Sequence, residues 1–342
     1  MTRIVKRAKS QWLGVTCAAL YVLVPAIWLL ALVAPSDETV RIRSSLAFDL
    51  GVPSDFNWDP SAIPPTFLTN NGPTPPLFQR VASEAVAAHD TPHDELSVAL
   101  SIARELMTAP KRVESPIRAD ITTSYNAIKN DGRGYCADFA KVFNGIAIAA
   151  KLPVRQWGIA FDAFGSGHTF NEIYDRTHSK WVLVDSFHSL YFVDAVTREP
   201  LSVLDVHDRL LTLDSAQRGV AIERIVPARF PFRSDALALD YYRRGMSQLY
   251  LVWGTNVFDY ERSLAYRLTS PFSRALEELA AIVVGNYPRM HVYPTGVSDR
   301  DVNELRQRRT QLALAVVSVL LAACLLVLQI YQFLRHKPQH RD

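Results

Sequence analysis

Two long stretches without a charged residue lie near the ends of the chain, and they constrain its fold more than any other feature. The first runs from Leu13 to Ala34 and the second from Leu312 to Leu334. Each exceeds the roughly 20 apolar residues that a helix needs to cross the core of a bilayer. The sequence therefore predicts two transmembrane helices, at 11–34 and 311–334, with most of the chain between them.

The first stretch has a competing interpretation as a cleaved signal peptide. Its apolar part is longer than the about 7–15 residues typical of such a signal. In addition, Pro35 directly follows Ala34, the residue after which cleavage would be expected. An uncleaved anchor is therefore the favoured interpretation.

Basic residues mark the outer sides of both stretches, in the tails 1–10 and 335–342. They are Arg3, Lys6, Arg7, Lys9, Arg335, Lys337 and Arg341. Only Asp342 opposes them, so the positive-inside rule places both tails in the cytoplasm and the middle of the chain outside it. Three arginines within 306–309, just before the second stretch, favour the opposite orientation. A long loop, however, is translocated largely regardless of its charge. This topology, with a short basic tail at each end, favours a bacterial inner membrane protein with a periplasmic domain, and it is also compatible with a eukaryotic membrane.

Cys136 stands at the predicted start of a helix. The residues after it show apolar positions at helical spacing as far as Lys151, and Gly132 and Gly134 before it predict a tight turn. At a helix N-terminus the dipole and the unpaired N–H groups favour the thiolate, which is the reactive form of cysteine. Cys136 is therefore a candidate nucleophile.

His168 and Asp185 follow on two predicted strands, 168–174 and 181–185. A short connection would join these strands into a hairpin, in which side chains on neighbouring strands can face each other. A cysteine, a histidine and an aspartate in this order suggest a nucleophile, a general base and an acid that orients the base.

The residues around these positions resemble the transglutaminase-like superfamily. The matching positions are Gly134, Cys136, Asp138, Phe139, Ala140, Pro153, Arg155, His168, Phe170, Glu172, Trp181, Val182 and Asp185. The resemblance covers roughly residues 95–195. It departs from the usual pattern at Lys151, where the family has glycine, and at Ser186, where it often has proline.

The resemblance implies a papain-like α+β core, in which the helix bearing Cys136 packs on an antiparallel sheet bearing His168 and Asp185. It implies acyl transfer or amide hydrolysis on a protein or peptide outside the membrane, without cofactor or metal. The Cys136 N–H is expected to stabilise the oxyanion together with an upstream side chain, for which Asn130 is the candidate. Asp138, Arg155 and Glu172 are expected to support the fold.

Other functions stay open from the sequence alone. A non-catalytic binding or scaffold protein of an envelope assembly could keep the same fold. A metal site built from Cys136, His168 and Asp185 is disfavoured, because the chain lacks CxxC and HExxH spacing. Nucleic acid is not an expected partner, since the net charge of +3 comes from the two tails and no basic-aromatic patch is visible.

Between the spans the sequence predicts a proline-rich linker at 35–80, the transglutaminase-like domain at 81–200 and a helical extension at 201–310. Within the linker a strand is predicted at 39–50, and its aromatic residues predict partial packing on the domain. The segment 91–95 contains a histidine and two acids that invite a metal interpretation. A helix start, with Thr91 as N-cap and Pro92 as the first helical residue, explains it better.

Overall fold

A computed structural model describes the chain at residues 14, 16, 19–24, 26–27, 37–49, 55–89, 94–162, 164, 166–211, 219–272, 274–295 and 298–335. The chain divides into two compact units. Residues 46–302 form one unit, and residues 1–45 with 303–342 form the other.

The helices of the described residues are α1 (Asp37–Ala47), α2 (Pro76–Ala87), α3 (Glu95–Glu105), α4 (Ile121–Asp131), α5 (Cys136–Ala149), α6 (Val203–Leu211), α7 (Asp235–Met246), α8 (Val257–Arg262), α9 (Leu264–Thr269), α10 (Arg274–Val283) and α11 (Ser298–Arg335). The strands are β1 (Phe48–Asp49), β2 (Val154–Phe161), β3 (Ser166–Asp175), β4 (Lys180–Asp185), β5 (Leu190–Asp194), β6 (Val220–Arg224), β7 (Leu249–Val252) and β8 (Met290–Val292).

The eight strands form one mixed sheet in the order β1-β8-β7-β2-β3-β4-β5-β6. The pair β1 and β8 is parallel, and every other neighbouring pair is antiparallel. The chain therefore has the α+β class that the sequence predicts. The predicted hairpin is also present, because β3 pairs with β4.

The sheet separates two hydrophobic cores. Along β4, Val182 and Val184 belong to the core that helices α2 to α5 cover. Trp181 and Leu183 belong to the other core, which α6, α7 and the segment 56–67 cover. This alternation follows from the two-residue period of a strand, which sends successive side chains to opposite faces.

The segment predicted as a linker is partly folded onto the domain. Phe56, Trp58 and Phe67 are buried in the second core, in agreement with the partial packing predicted from these aromatic residues. The strand predicted at 39–50 is wrong for most of its length, because α1 occupies 37–47 and only β1 is extended. The alternation there covers few residues, and Ile42 and Leu46 also fit the four-residue spacing of a helix.

Residues 201–310 are not only a helical extension, since they also supply β6, β7 and β8. The sequence shows helical spacing from Asp235 to Trp253, but helix α7 ends at Met246 and β7 follows. All four residues of β7 are buried, and a short run that is apolar on both faces does not distinguish a central strand from a buried helix.

Helix α3 begins later than predicted. Its N-cap is Asp94, whose carboxylate accepts a hydrogen bond from the Ser97 N–H at 3.0 Å. The residues predicted to start the helix, at 91–93, lie outside the described residues. Glu95, one of the acids of the rejected metal interpretation, is buried and pairs with Arg176.

One helix of the described residues is long and apolar enough to cross a membrane. It covers Arg300–Gln332 within α11 and coincides with the predicted second span. The predicted first span, at 11–34, and the two tails lie mostly outside the described residues. The few positions of the first span that are described, from residue 14 to residue 27, are helical.

Candidate active site

A sharp turn places Cys136 at the first position of α5. Helix α4 ends at Gly132, which has a φ of 64°, and a Cβ there would overlap the carbonyl oxygen of Lys111. Any other residue would therefore be strained and would clash. On the other side of the cysteine, Asp138 accepts a hydrogen bond from the Tyr135 N–H at 2.9 Å and caps the helix start.

An asparagine in β3 fixes α5 on the sheet. The side-chain amide of Asn171 donates to the carbonyl oxygen of Ala140 at 3.1 Å and to Oδ1 of Asn144 at 2.8 Å. Because successive residues of a strand alternate faces, His168 lies on the opposite face from Asn171. The same strand therefore holds the cysteine helix on one face and carries the histidine on the other.

His168 and Asp185 meet on adjacent strands. His168 is the third residue of β3, Asp185 is the last residue of β4, and both side chains are buried. Nε2 of His168 hydrogen-bonds to Oδ2 of Asp185. The imidazole is therefore oriented by the carboxylate in the way that the sequence predicts.

Cys136 is the third member of the candidate triad, beside His168 and Asp185. It lies close enough to His168 and Thr169 for both residues to lower its pKa. Since Asp185 occupies Nε2, Nδ1 is the ring nitrogen of His168 left for the sulfur. The cysteine is partly exposed, whereas the histidine and the aspartate are buried. Water therefore has little access to the pair of His168 and Asp185.

The electrostatics of this candidate triad favour a thiolate and an imidazolium. Burial alone would lower the pKa of His168, but the charge and hydrogen bond of Asp185, together with the neighbouring Cys136, raise it above its usual value. Burial alone would raise the pKa of Cys136, but His168 and Thr169 lower it. Burial opposes ionisation of Asp185 as well, yet its histidine neighbours hold the pKa of that carboxyl far below its usual range.

Two further residues support Asp185, one through its side chain and one through its backbone, and sequence analysis missed both. The Tyr242 hydroxyl donates to Oδ2 of Asp185, and the His188 N–H donates to Oδ1 at 2.7 Å. Nδ1 of His188 lies 3.0 Å from the same hydroxyl. Because that hydroxyl already donates to the carboxylate, Nδ1–H of His188 is the donor to the tyrosine oxygen.

The signal for these two residues in the sequence is weak. Tyr242 belongs to an aromatic-rich run at 241–253, a pattern that predicts a packed helix or a surface for a membrane or partner, and it lies 57 residues after Asp185. His188 follows Asp185 by three residues in the turn between β4 and β5. No motif of the sequence assigns either residue to the site.

His168, Asp185 and His188 place potential metal-ligand atoms within 4.8 Å of one another. The two imidazole rings, however, stack with 4.0 Å between their centroids and 17° between their planes. The nitrogen lone pairs of an imidazole lie in the plane of its ring. Because these two ring planes are nearly parallel and lie one above the other, their lone pairs do not converge on one ion. Oδ2 of Asp185 also already accepts two hydrogen bonds. This arrangement fits a hydrogen-bond network better than a metal centre.

Aromatic side chains surround the site. The Phe187 ring lies 5.3 Å from that of Phe139 and 5.9 Å from His168, measured between centroids. The guanidinium of Arg112 lies 4.0 Å above the Phe187 ring. On the other side, Tyr241 contacts the rings of both His168 and His188. The site therefore combines an apolar wall with one cation at its edge.

Asn130, the candidate side chain for the oxyanion, lies exposed in the last turn of α4. None of the hydrogen bonds in the described part of the chain ties it to Cys136, so its role stays a prediction. The N–H groups of Cys136 and Ala137 are better placed. They occupy the first two positions of α5, where N–H groups have no carbonyl partner within the helix.

The remaining polar residues of the resemblance make structural contacts. Arg155 Nε lies 2.6 Å from Glu172 Oε2, in a pair that is almost fully buried. The same oxygen accepts from the Trp157 indole at 2.6 Å, and Oε1 accepts from the Val203 N–H at 2.7 Å. Glu172 therefore ties β2, β3 and the start of α6 together at a distance from the reactive groups.

Comparison of the sequence with protein-family models gives no match, and comparison with curated proteins gives none. The chemistry of the site therefore has to be inferred from its own geometry.

Proposed function

We propose that this protein is a membrane-anchored cysteine enzyme that catalyses acyl transfer or amide hydrolysis on a protein or peptide outside the cytoplasm. The observation that carries the proposal is the buried hydrogen bond between His168 and Asp185, with Cys136 at the start of α5 beside the histidine. The local resemblance to transglutaminase-like enzymes supports the same chemistry.

The reaction follows from the positions of the groups. The Cys136 thiolate attacks the carbonyl carbon of an amide, and a C–S bond forms as the carbonyl oxygen becomes an oxyanion. The N–H groups at the start of α5 stabilise that oxyanion. The imidazolium of His168 gives its proton to the leaving nitrogen, the C–N bond breaks, and a thioester remains on Cys136.

The product depends on which molecule accepts the acyl group from the thioester on Cys136. Water, deprotonated by the now neutral His168, hydrolyses the thioester and regenerates the thiolate and imidazolium. An amine in place of water gives a new amide and hence a cross-link. Asp185 stays ionised throughout and keeps the imidazole in position.

The location of the enzyme is part of the proposal. The candidate span in α11 and the basic tails support a two-span protein of a bacterial inner membrane, with the catalytic unit in the periplasm. In the unit of residues 46–302, the chain enters at β1 and leaves after β8, and these two strands are paired. Both connections toward the apolar stretches therefore leave from one edge of the sheet.

The test uses full-length protein in detergent with Cys17→Ser and Cys324→Ser, so that Cys136 is the sole thiol. The rate of alkylation by iodoacetamide is measured as a function of pH. We expect the alkylation rate to reach its plateau at a pH well below the pKa of an ordinary thiol, which is about 8.5. We expect this plateau to be lost in His168→Ala. A matched control carries Cys136→Ser and Val196→Cys, which moves the single thiol to an exposed turn.

If Cys136 titrates like the control thiol at position 196, the enzyme proposal fails and the alternative of a non-catalytic envelope scaffold gains support. With a substrate in hand, Cys136→Ser should abolish turnover while leaving the unfolding temperature close to that of the parent protein. Turnover near the parent rate would exclude Cys136 as the nucleophile.

A further inference from the structure

In helix α10 two glutamates face the protein, whereas two large apolar residues face outward. Glu277 accepts a hydrogen bond from the Tyr260 hydroxyl at 2.8 Å, and Glu278 is buried, being only 7% exposed. In contrast, Leu279 is 44% exposed and Val283 is 78% exposed. An amphipathic helix on a water-facing surface has the opposite arrangement. The outward face of α10 is therefore suited to an apolar environment.

The neighbouring helix repeats this feature. Leu264 and Leu268, four residues apart and so on one face of α9, are both largely exposed. Phe272, in the turn to α10, is 78% exposed. Helices α9 and α10 pack on each other. We call the exposed apolar residues of this helix pair the apolar patch; it consists of Leu264, Leu268, Phe272, Leu279, Val283 and Val284.

An exposed apolar set of this kind marks an interaction site, because soluble surfaces carry large apolar side chains singly rather than in groups. Its position along the chain indicates the partner. Helix α10 ends at Val283, seven residues before β8 begins at Met290. Seven residues span at most about 25 Å when fully extended. The end of α10 therefore lies no more than about 25 Å from the sheet edge from which the chain continues to the candidate span.

The charges around the apolar patch also fit a lipid surface. Arg267 is exposed within α9, one residue before Leu268. Arg262, at the end of α8, is paired with Asp259 and so adds no unpaired positive charge. The acids of α10 face inward, as described above. A helix that presents apolar residues with arginine beside them, and keeps its carboxylates away, suits the interface of a bilayer that contains anionic headgroups.

We propose that α9 and α10 lie on the outer surface of the membrane that holds α11, with the apolar patch in the interfacial region of the lipid. This proposal depends on α11 spanning a membrane and is independent of the chemistry at Cys136. It also has a consequence for the site. Helix α8, which leads into α9, is tied to the cysteine helix by Lys141 and Glu261, whose charged atoms lie 2.6 Å apart. Membrane contact would thus hold the cysteine helix at a fixed height above the bilayer.

The proposal is tested with full-length protein in vesicles of phosphatidylethanolamine and phosphatidylglycerol. Cys17, Cys136 and Cys324 are replaced by serine, and a nitroxide label is attached to Phe272→Cys or to Val283→Cys. The control label is attached to Val196→Cys, which is 86% exposed in the turn after β5. Collision rates of the label with oxygen, which concentrates in lipid, and with a water-soluble nickel complex are then measured.

We expect the ratio of oxygen to nickel collisions to shift toward oxygen at positions 272 and 283, relative to position 196. A ratio at either site equal to that at 196 means that the site faces water and overturns the proposal. Low collision rates with both reagents mean that protein covers the label, which also overturns it. Because the variants lack Cys136, the result does not depend on whether the enzyme proposal is correct.

Discussion

Tyr242 and His168 donate hydrogen bonds to the same atom, Oδ2 of Asp185. His168 belongs to β3 and Tyr242 to α7, so a residue outside the region of family resemblance helps to build the candidate triad. The His188 N–H satisfies the other carboxylate oxygen at 2.7 Å. Three donors around one buried carboxylate keep it ionised and fixed, and this arrangement leads to the first prediction.

Tyr242→Phe removes one donor from a buried charge without changing the shape of the core. Because hydrogen bonds to charged groups contribute about 1.5–3 kcal/mol, we expect the free energy of unfolding to fall by that amount in denaturant titrations. The matched control is Tyr241→Phe, whose hydroxyl has no hydrogen bond among those of the described residues. We expect the control to change stability by less than about 0.5 kcal/mol. Equal losses in the two variants would contradict the role assigned to the Tyr242 hydroxyl.

Asp185→Asn tests the electrostatic role of the carboxylate. The amide keeps the size of the side chain but removes the negative charge that raises the pKa of His168. A less basic His168 stabilises the thiolate less, so the midpoint of the alkylation profile of Cys136 should rise toward about 8.5. Asp175→Asn, which removes the carboxylate beside His178 at the far end of the hairpin, is the control. An unchanged midpoint in Asp185→Asn would show that the thiolate does not depend on this charge.

His188 makes a specific prediction for stability in acid. Burial, and then the charge of His168, lower its pKa to about 3, whereas an unfolded histidine titrates near about 6.5. The stability due to neutral His188 is therefore present above about pH 6.5 and is lost as the pH falls toward 3. Between about pH 4.5 and 6, unfolding should take up about one proton at this residue, a slope of about 1.4 kcal/mol per pH unit.

In that pH interval His168 and Asp185 contribute little to the slope. His168, with its raised pKa, is protonated both folded and unfolded, and Asp185 is ionised in both states. His188→Asn retains an N–H donor near Tyr242 but cannot titrate. We expect the slope of unfolding free energy against pH to be smaller in this variant by about 1.4 kcal/mol per pH unit. An identical slope would mean that His188 is not buried in its neutral form.

The buried pair of Arg155 and Glu172 is predicted to matter for folding. Glu172→Gln leaves the guanidinium of Arg155 without its counter-charge in a site that is almost fully buried, and breaking such pairs costs about 3–5 kcal/mol. Arg243→Gln breaks the exposed pair with Asp240 and should cost less than about 1 kcal/mol. Unfolding free energies of the two variants in denaturant give the comparison. A loss in Glu172→Gln as small as in the control would contradict this account.

Several features of the protein were predictable because they depend on local sequence. The second apolar stretch has the length and composition of a span wherever it is placed, and a helix long enough to cross a membrane is found there. Cys136 begins α5 because two glycines allow the turn and the apolar spacing after it fits a helix. The hairpin of β3 and β4 follows from two apolar runs with a polar turn between them.

Other features depend on which distant segments meet. Periodicity predicts that a face is buried, but it does not specify the element that covers it. The apolar run at 249–252 therefore suggested a helix, and its place between β8 and β2 was decided by the pairing of strands far apart in the chain. Tyr242 and His188 became part of the candidate site in the same way, because α7 packs against the face of the sheet that carries Asp185. The sequence by itself determined the candidate reactive residues and the candidate span, because both depend on local patterns. Only the tertiary structure decided which groups keep Asp185 charged, because those groups come from distant parts of the chain.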